Sequence, residues 1–128
     1  MIQTLIINAQ MPGLNEIIAA AKVRWKGGGR YSQMKREWTE VVMAECSIQK
    51  LKPMKGAVKV TILVHDINKR RDPDNILAGC CKFTLDGIVK AGIIEDDSQR
   101  IIKKIDFELG TPDAKNPRVI VVLGSVMR

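Results

Sequence analysis

The run Asp72-Pro73-Asp74-Asn75 has the clearest chemical potential, at a point where a loop is expected to enter a helix. Pro73 pushes Asp72 toward extended backbone and fixes the direction in which Asp74 leaves. Two carboxylates separated by one stiff residue can both approach one hard cation. Oxygen ligands with partial hydration suit Mg²⁺ or Mn²⁺. A helix N-terminus also favours nearby anions, phosphate included. The same four residues would serve equally well as a cap and turn, because Asp and Asn are common in both. A second acidic group, Glu95-Asp96-Asp97, follows the same helix. If the loop after the helix folds back, one of its carboxylates completes a three-acid site. The plain alternative is a solvated acidic surface.

Lys82 is the cation on that helix. It lies seven residues after Asn75, so the two project almost in line. Asp86 is one turn further and can pair with Lys82 at i, i+4, which on a surface is worth only a few tenths of a kcal/mol. Lys69, Arg70 and Arg71 directly precede Asp72. Between Arg24 and Arg36 there are five basic residues, among them Lys26 and Arg30, with no acids and with Trp25 and Tyr31 interleaved. Cations and aromatics mixed in this way suit phosphate contact and base stacking, although a solvated loop would look the same. An acidic centre with a polyphosphate substrate needs such cations, since bare carboxylates would repel it.

The whole chain supports that direction. Its 21 Lys and Arg outnumber 14 Asp and Glu, giving +7, so a polyanion is a natural partner. Seven of the 14 acids fall between Asp66 and Asp97, and converging carboxylates repel unless a cation sits between them. With 128 residues, 45% hydrophobic and 27% charged, a single globular domain over 1–128 is expected. No apolar stretch approaches the ~20 residues that span a bilayer, and no secretory signal is visible. Three cysteines, Cys46, Cys80 and Cys81, with one histidine, His65, do not make a zinc site. They read as reduced thiols, partly in the core, of a cytoplasmic protein. EF-hand spacing is absent, no G-K-[ST] follows the glycine run as a P-loop requires, and the chain is short for a D-x-D glycosyltransferase.

The elements that must position these residues read as strand Ile2–Ala9, helix Leu14–Val23, a mobile loop from Arg24 to Tyr31, and a helix from about Gln33 to Lys50 capped by Ser32. Met34, Trp38, Val41 and Ile48 are its expected core stripe. Strand Ala57–Ile67 alternates Val58, Val60, Ile62 and Val64. A helix then runs to about Lys90 and ends at Gly92. Strand Ile101–Leu109 carries Ile105, Phe107 and Leu109 on one face, and Arg118–Leu123 is the last strand. The order β-α-α-β-α-β-β predicts an α/β (α+β) fold with a four-stranded mixed sheet covered by about three helices. The last two strands are expected to form an antiparallel hairpin. The uncovered sheet face would carry apolar surface, so a homodimer is expected.

Taken together, Arg71-Asp72-Pro73-Asp74-Asn75, Lys82, Leu85-Asp86-Gly87, Ala91-Gly92 and Asp96-Asp97-Ser98-Gln99 resemble the RusA family of Holliday junction resolvases, often carried by phages and prophages. The match is strong over roughly 30 contiguous residues, while strand order and the Pro12-Gly13-Leu14-Asn15 turn extend it weakly over most of the chain. The resemblance implies a homodimeric, Mg²⁺-dependent endonuclease that cuts four-way DNA junctions by paired nicks. It matches Asp72, Asp74 and Asp97 to the metal-binding carboxylates and Lys82 to the catalytic lysine. Asp96 becomes a supporting carboxylate and Asn75 a polar group at or beside the metal. The Asp74–Lys82 interval is about one helical turn longer than the family pattern, which moves Lys82 ~6 Å along the axis.

The expected activity is metal-assisted phosphodiester hydrolysis leaving 5′ phosphates, with one site per strand in a two-fold dimer. Two other expectations stand beside it. One is a nuclease for flaps or other branched DNA. The other is a non-catalytic branched-DNA-binding dimer whose acids serve only as caps.

Overall fold

Alternating apolar residues build the sheet, and two close helix contacts lock the rest onto it. The computed structural model describes residues 1–25 and 28–126. The chain runs β1 (Ile2–Ile7), α1 (Leu14–Ala21), β2 (Arg24–Trp25), β3 (Gly28–Gly29), α2 (Arg30–Ile48), β4 (Val58–His65), α3 (Pro73–Lys90), β5 (Ile102–Leu109) and β6 (Arg118–Ser125). One mixed four-stranded sheet has the order β1-β6-β4-β5. β6 is antiparallel to both β1 and β4, and β5 is parallel to β4. Val58, Val60, Ile62 and Val64 alternate inward beside Val119, Val121, Leu123, Leu5 and Ile7. The three main helices supply the other half of this core. Among the described residues no helix is long and apolar enough to cross a membrane.

Three expectations need correction. The last two strands are not a hairpin: β4 lies between β5 and β6. A strand, a crossover helix and a following strand favour a parallel pair, which is what β4, α3 and β5 form. β6, with its fully buried Val121 and Leu123, then takes the interior position between β1 and β4. The segment from Arg24 is not a plain loop: β2 and β3 pair as a minimal antiparallel ladder, Arg24 with Gly29 and Trp25 with Gly28. Because that ladder delivers the chain directly, α2 starts at Arg30 with Gly29 as its N-cap, not after Ser32.

The third correction is the buried face of α2. Thr39, Val42 and Cys46 point inward, Met34 and Trp38 flank the core, and Val41 and Ile48 are exposed. The reason is Gly87 on α3. A Cβ there would run into Val42, so the missing side chain makes the notch that Val42 fills. α3 itself is the central helix and buries Ile76, Cys80, Phe83 and Ile88. Each large apolar side chain on that stripe contributes about 1.5–3 kcal/mol by leaving water. Its C-cap is Ala91, and Gly92 follows with φ 76°.

The N-terminal half of α3 passes under the Pro12–Gly13 turn. A Cβ on Gly79 would overlap the Pro12 carbonyl. Gly79→Ala is therefore expected to lower unfolding free energy by about 1–3 kcal/mol in urea titrations. Gly124→Ala, where a Cβ meets nothing within 4 Å, should leave the midpoint nearly unchanged.

Cys46 and Cys80 are buried and Cys81 is half-buried, all as free thiols. Burial, helped by the Glu45 charge, pushes the Cys46 thiol up to about 11. Burial pushes Cys80 up to about 12 despite the opposing Arg71 charge. Both folded values lie above the ordinary 9.0, so the folded state keeps these protons longer than the unfolded chain. The resulting stability is fully present below pH 9.0 and is lost as pH rises toward 11. Urea midpoints measured across that window should fall, and Cys80→Ala should flatten the fall.

Candidate functional site

β4 ends at His65, and the next residue, Asp66, is buried. A buried carboxylate is tolerable only when paired and hydrogen-bonded. Arg71 provides both: its Nε and Nη2 donate to the two Asp66 carboxylate oxygens at 2.9 and 2.7 Å. Its Nη1 donates to the Met11 carbonyl at 2.8 Å and lies 3.8 Å from Glu16. Burial alone would lower the Arg71 pKa, but the hydrogen bonds and charge of Asp66, aided by Glu16, raise it above its ordinary value. Arg71, expected as a DNA contact, is a strut that closes the loop between β4 and α3.

Asn75, expected at or beside a metal, also makes a contact within the chain. It is buried, and its Oδ1 accepts the Asn15 backbone N–H at 2.7 Å. That bond ties the first turn of α3 to the start of α1.

What this scaffold presents is Asp72 and Asp74. Asp72 is the N-cap residue of α3 with extended backbone (φ −71°, ψ 146°), yet its side chain makes no capping hydrogen bond. Asp74 sits in the first turn, where the helix dipole favours negative charge. Both are exposed. Among the described residues neither carboxylate is engaged in a hydrogen bond or ion pair. Asp72 faces a cleft of about 550 Å³ that it shares with Lys69, Arg71, Leu109, Gly110 and Thr111. The Gly110–Pro117 connection is pinned there by His65 Nδ1, 2.7 Å from the Thr111 carbonyl, and by Asp113 N–H donating to Asp66 O at 2.8 Å. Two exposed carboxylates supply up to four oxygens, and water would complete the shell of a hard divalent cation.

The other acids lie elsewhere. Glu95 accepts the Gly56 N–H at 3.1 Å. Asp96 bonds the Ser98 side chain and the Asp97 backbone, and these bonds hold its carboxyl below the usual range. Asp97 is exposed and lines a shallow cleft with Gln99, Ile102, Lys103, Lys104 and Ile105. That cleft lies at the start of β5, which pairs with the start of β4, whereas Asp72 follows the end of β4. Eight strand residues separate the two ends, a span of about 25 Å. Within one chain, therefore, Asp97 does not join Asp72 and Asp74. Among the described residues no group of three His, Cys, Asp or Glu is placed to share a metal.

Lys82 pairs with Asp86 at 3.5 Å, and Lys35 approaches the same carboxylate oxygen at 3.9 Å. These are ion-pair distances rather than hydrogen bonds; that oxygen is buried with no hydrogen-bond partner. Eight residues of helix place the Lys82 backbone ~12 Å up the axis from Asp74. Of the basic residues expected to meet DNA, Lys69, Arg70, Arg24 and Arg30 are exposed. Lys26 lies outside the described residues. Arg30 shares a second cleft with Arg71, Pro12 and Glu16, so Arg71 walls both clefts. Nothing in the sequence marks Asp66 or Glu16 as functional. The Asp-x₄-Arg spacing was visible, but nothing in it shows that the pair is buried.

No protein-family profile matches the chain. No curated protein matches it either. Among solved structures, the chain is similar over its full length to 31% of a hydrogenase maturation protein, HypE, in complex with ATP, with 9% sequence identity and a TM-score of 0.35. At that score the likeness carries no argument about this chain.

Arg71→Met is expected to lower unfolding free energy by about 3–5 kcal/mol, because it leaves Asp66 buried and unpaired. Arg70→Met, one residue earlier and exposed, should change it by under about 0.5 kcal/mol. Urea titration of the two variants makes the comparison.

Proposed function

We propose that the protein is a Mg²⁺-dependent endodeoxyribonuclease of the RusA type, acting as a homodimer on four-way or other branched DNA. The observation that carries the reading is the pair of exposed, unengaged carboxylates Asp72 and Asp74 at the start of α3. A cap-and-turn role alone would engage the Asp72 side chain, and no such bond exists. Exposed Lys69 and Arg70 precede them in the chain, Lys69 lines the same cleft as Asp72, and the +7 chain attracts a polyanion at long range.

The roles follow from chemistry. Asp72 and Asp74 provide hard oxygen donors for the divalent ion. When bound, such an ion supplies a more acidic water and offsets charge on the phosphodiester. Lys69 and Arg70 draw the backbone phosphate toward the carboxylates. Arg71, Asp66 and Asn75 are positioning residues that hold the loop and first helical turn rigid. Lys82, held by Asp86, meets a phosphate further along the strand rather than the reacting one. Asp97 joins the site only through a second copy of the chain.

A second reading has one observation in its favour: the distance between Asp97 and Asp72 in a single chain. On that reading the protein binds branched DNA without cutting it.

Incubating the protein with synthetic four-way junctions separates the two. Nicks are expected with Mg²⁺ or Mn²⁺ and none after chelation. Asp72→Asn should cut at least about a hundredfold more slowly, while junction binding in gel shifts is kept or strengthened because negative charge near phosphate is removed. Binding without nicks in either metal favours the second reading.

A further inference from the structure

Trp25 is 46% exposed, in a two-stranded ladder where the residue opposite it is Gly28. An aromatic side chain in a ladder ordinarily packs on its cross-strand neighbour. Gly28 offers none, and a Cβ there would meet nothing within 4 Å. Its φ of 139° favours glycine, so the gap is set by the backbone. The ladder leaves the indole without a cross-strand partner.

Beside that indole is a cleft of about 340 Å³, lined by Trp25, Tyr31, Arg24, Val23, Ala21 and Ser32. Two backbone bonds hold its walls. Val23 N–H donates to the Ala20 carbonyl at 3.1 Å and fixes the ladder to the end of α1. Arg30 N–H donates to the Val23 carbonyl at 3.0 Å and fixes it to α2. Tyr31 stands in the first turn of α2. Two rings thus reach one cavity from anchored elements. Among the described residues its lining holds a cation, Arg24, and no acid.

The cleft is one end of a continuous groove. Ala20 and Val23 also line the neighbouring cleft that contains Arg30 and Arg71. Arg71 in turn walls the Asp72 cleft. A polyanionic strand laid from Asp72 past Arg30 therefore arrives at the two rings. Flat faces between aromatic side chains, with a cation at the rim, suit a nucleobase and its phosphate. A base inside a duplex has its faces covered by stacked neighbours and must leave the stack to enter. An unpaired base has its faces free.

We infer that the Trp25–Tyr31 cleft takes an unpaired nucleobase of single-stranded DNA whose backbone follows the groove past Arg30 to Asp72. This rests on the nuclease reading for the identity of the polyanion. It adds a preference for DNA with unpaired bases over fully paired duplex.

Binding measured in EDTA tests the cleft without any cutting. Trp38→Phe leaves Trp25 as the lone tryptophan. Its fluorescence should be quenched saturably by oligothymidylate. A strand of abasic sites of the same length should bind at least about tenfold more weakly, the lower end of what base–aromatic stacking supplies. Trp25→Ala should weaken single-strand binding at least about tenfold and duplex binding less than about threefold, with the circular dichroism unchanged. Trp25→Phe, which keeps a ring, should retain most of the single-strand affinity. Arg30→Ala, which removes a phosphate contact but no ring, should weaken both forms alike. Equal quenching and affinity with the abasic strand overturn the proposal, as does an equal loss of single-strand and duplex affinity in Trp25→Ala. Thymidine monophosphate bound as tightly as the oligonucleotide also overturns it, because the cleft would then be a mononucleotide site. Nicking of junctions in Mg²⁺ without quenching of Trp25 removes the base cleft and spares the nuclease reading. Quenching with no nicking supports the cleft and removes that reading.

Discussion

The Asp66–Arg71 pair is the constraint on which the site depends. It is a charge pair carried out of water, tolerable because the guanidinium meets both carboxylate oxygens and still has a donor for the Met11 carbonyl. Three separate stretches of chain meet on one side chain: the end of β4, the turn before α1 and the approach to α3. With that knot tied, the backbone of Asp72 and Asp74 has little freedom. Asn75 adds a second tie to α1, and Gly79 lets the Pro12–Gly13 turn sit directly on α3. The carboxylates are thus presented by a rigid loop-to-helix junction although their side chains are open to water. A site built for charge chemistry needs that combination.

Much of this was legible in the sequence, for identifiable reasons. β4 could be read because only one of its faces is buried, so Val58 to Val64 alternate cleanly. α3 could be read from Pro73 at its start and Gly92 after its end. The mixed four-stranded sheet with three helices followed from element order. What failed depended on partners distant in the chain. The core face of α2 is chosen by the notch at Gly87, some forty residues away from Val42, and periodicity cannot report a notch. Arg71 looked like a phosphate contact because a sequence displays a charge and not its burial. The parallel course of β5 was implied by the intervening helix, but the short distance between β5 and β6 pointed to a hairpin.

Asp97 is the instructive case. An 18-residue helix carries the chain ~27 Å from its start. Only six residues lie between Lys90 and Asp97, and the chain around them is held at the start of β4 by the Met54–Ile93 and Val58–Ile101 backbone bonds. A return to Asp72 within the same chain does not fit the length of that helix. Within one chain the three acids therefore do not meet.

The central claim is that Asp72 and Asp74 together hold a divalent cation. Mn²⁺ is a direct probe of it, because its paramagnetic resonance distinguishes free from protein-bound ion without any DNA or turnover. The wild-type protein should bind Mn²⁺ and lose most of that binding when Asp72 and Asp74 are both changed to Asn, with its fold intact by circular dichroism. Equal Mn²⁺ binding by the wild-type and doubly substituted proteins would contradict the account.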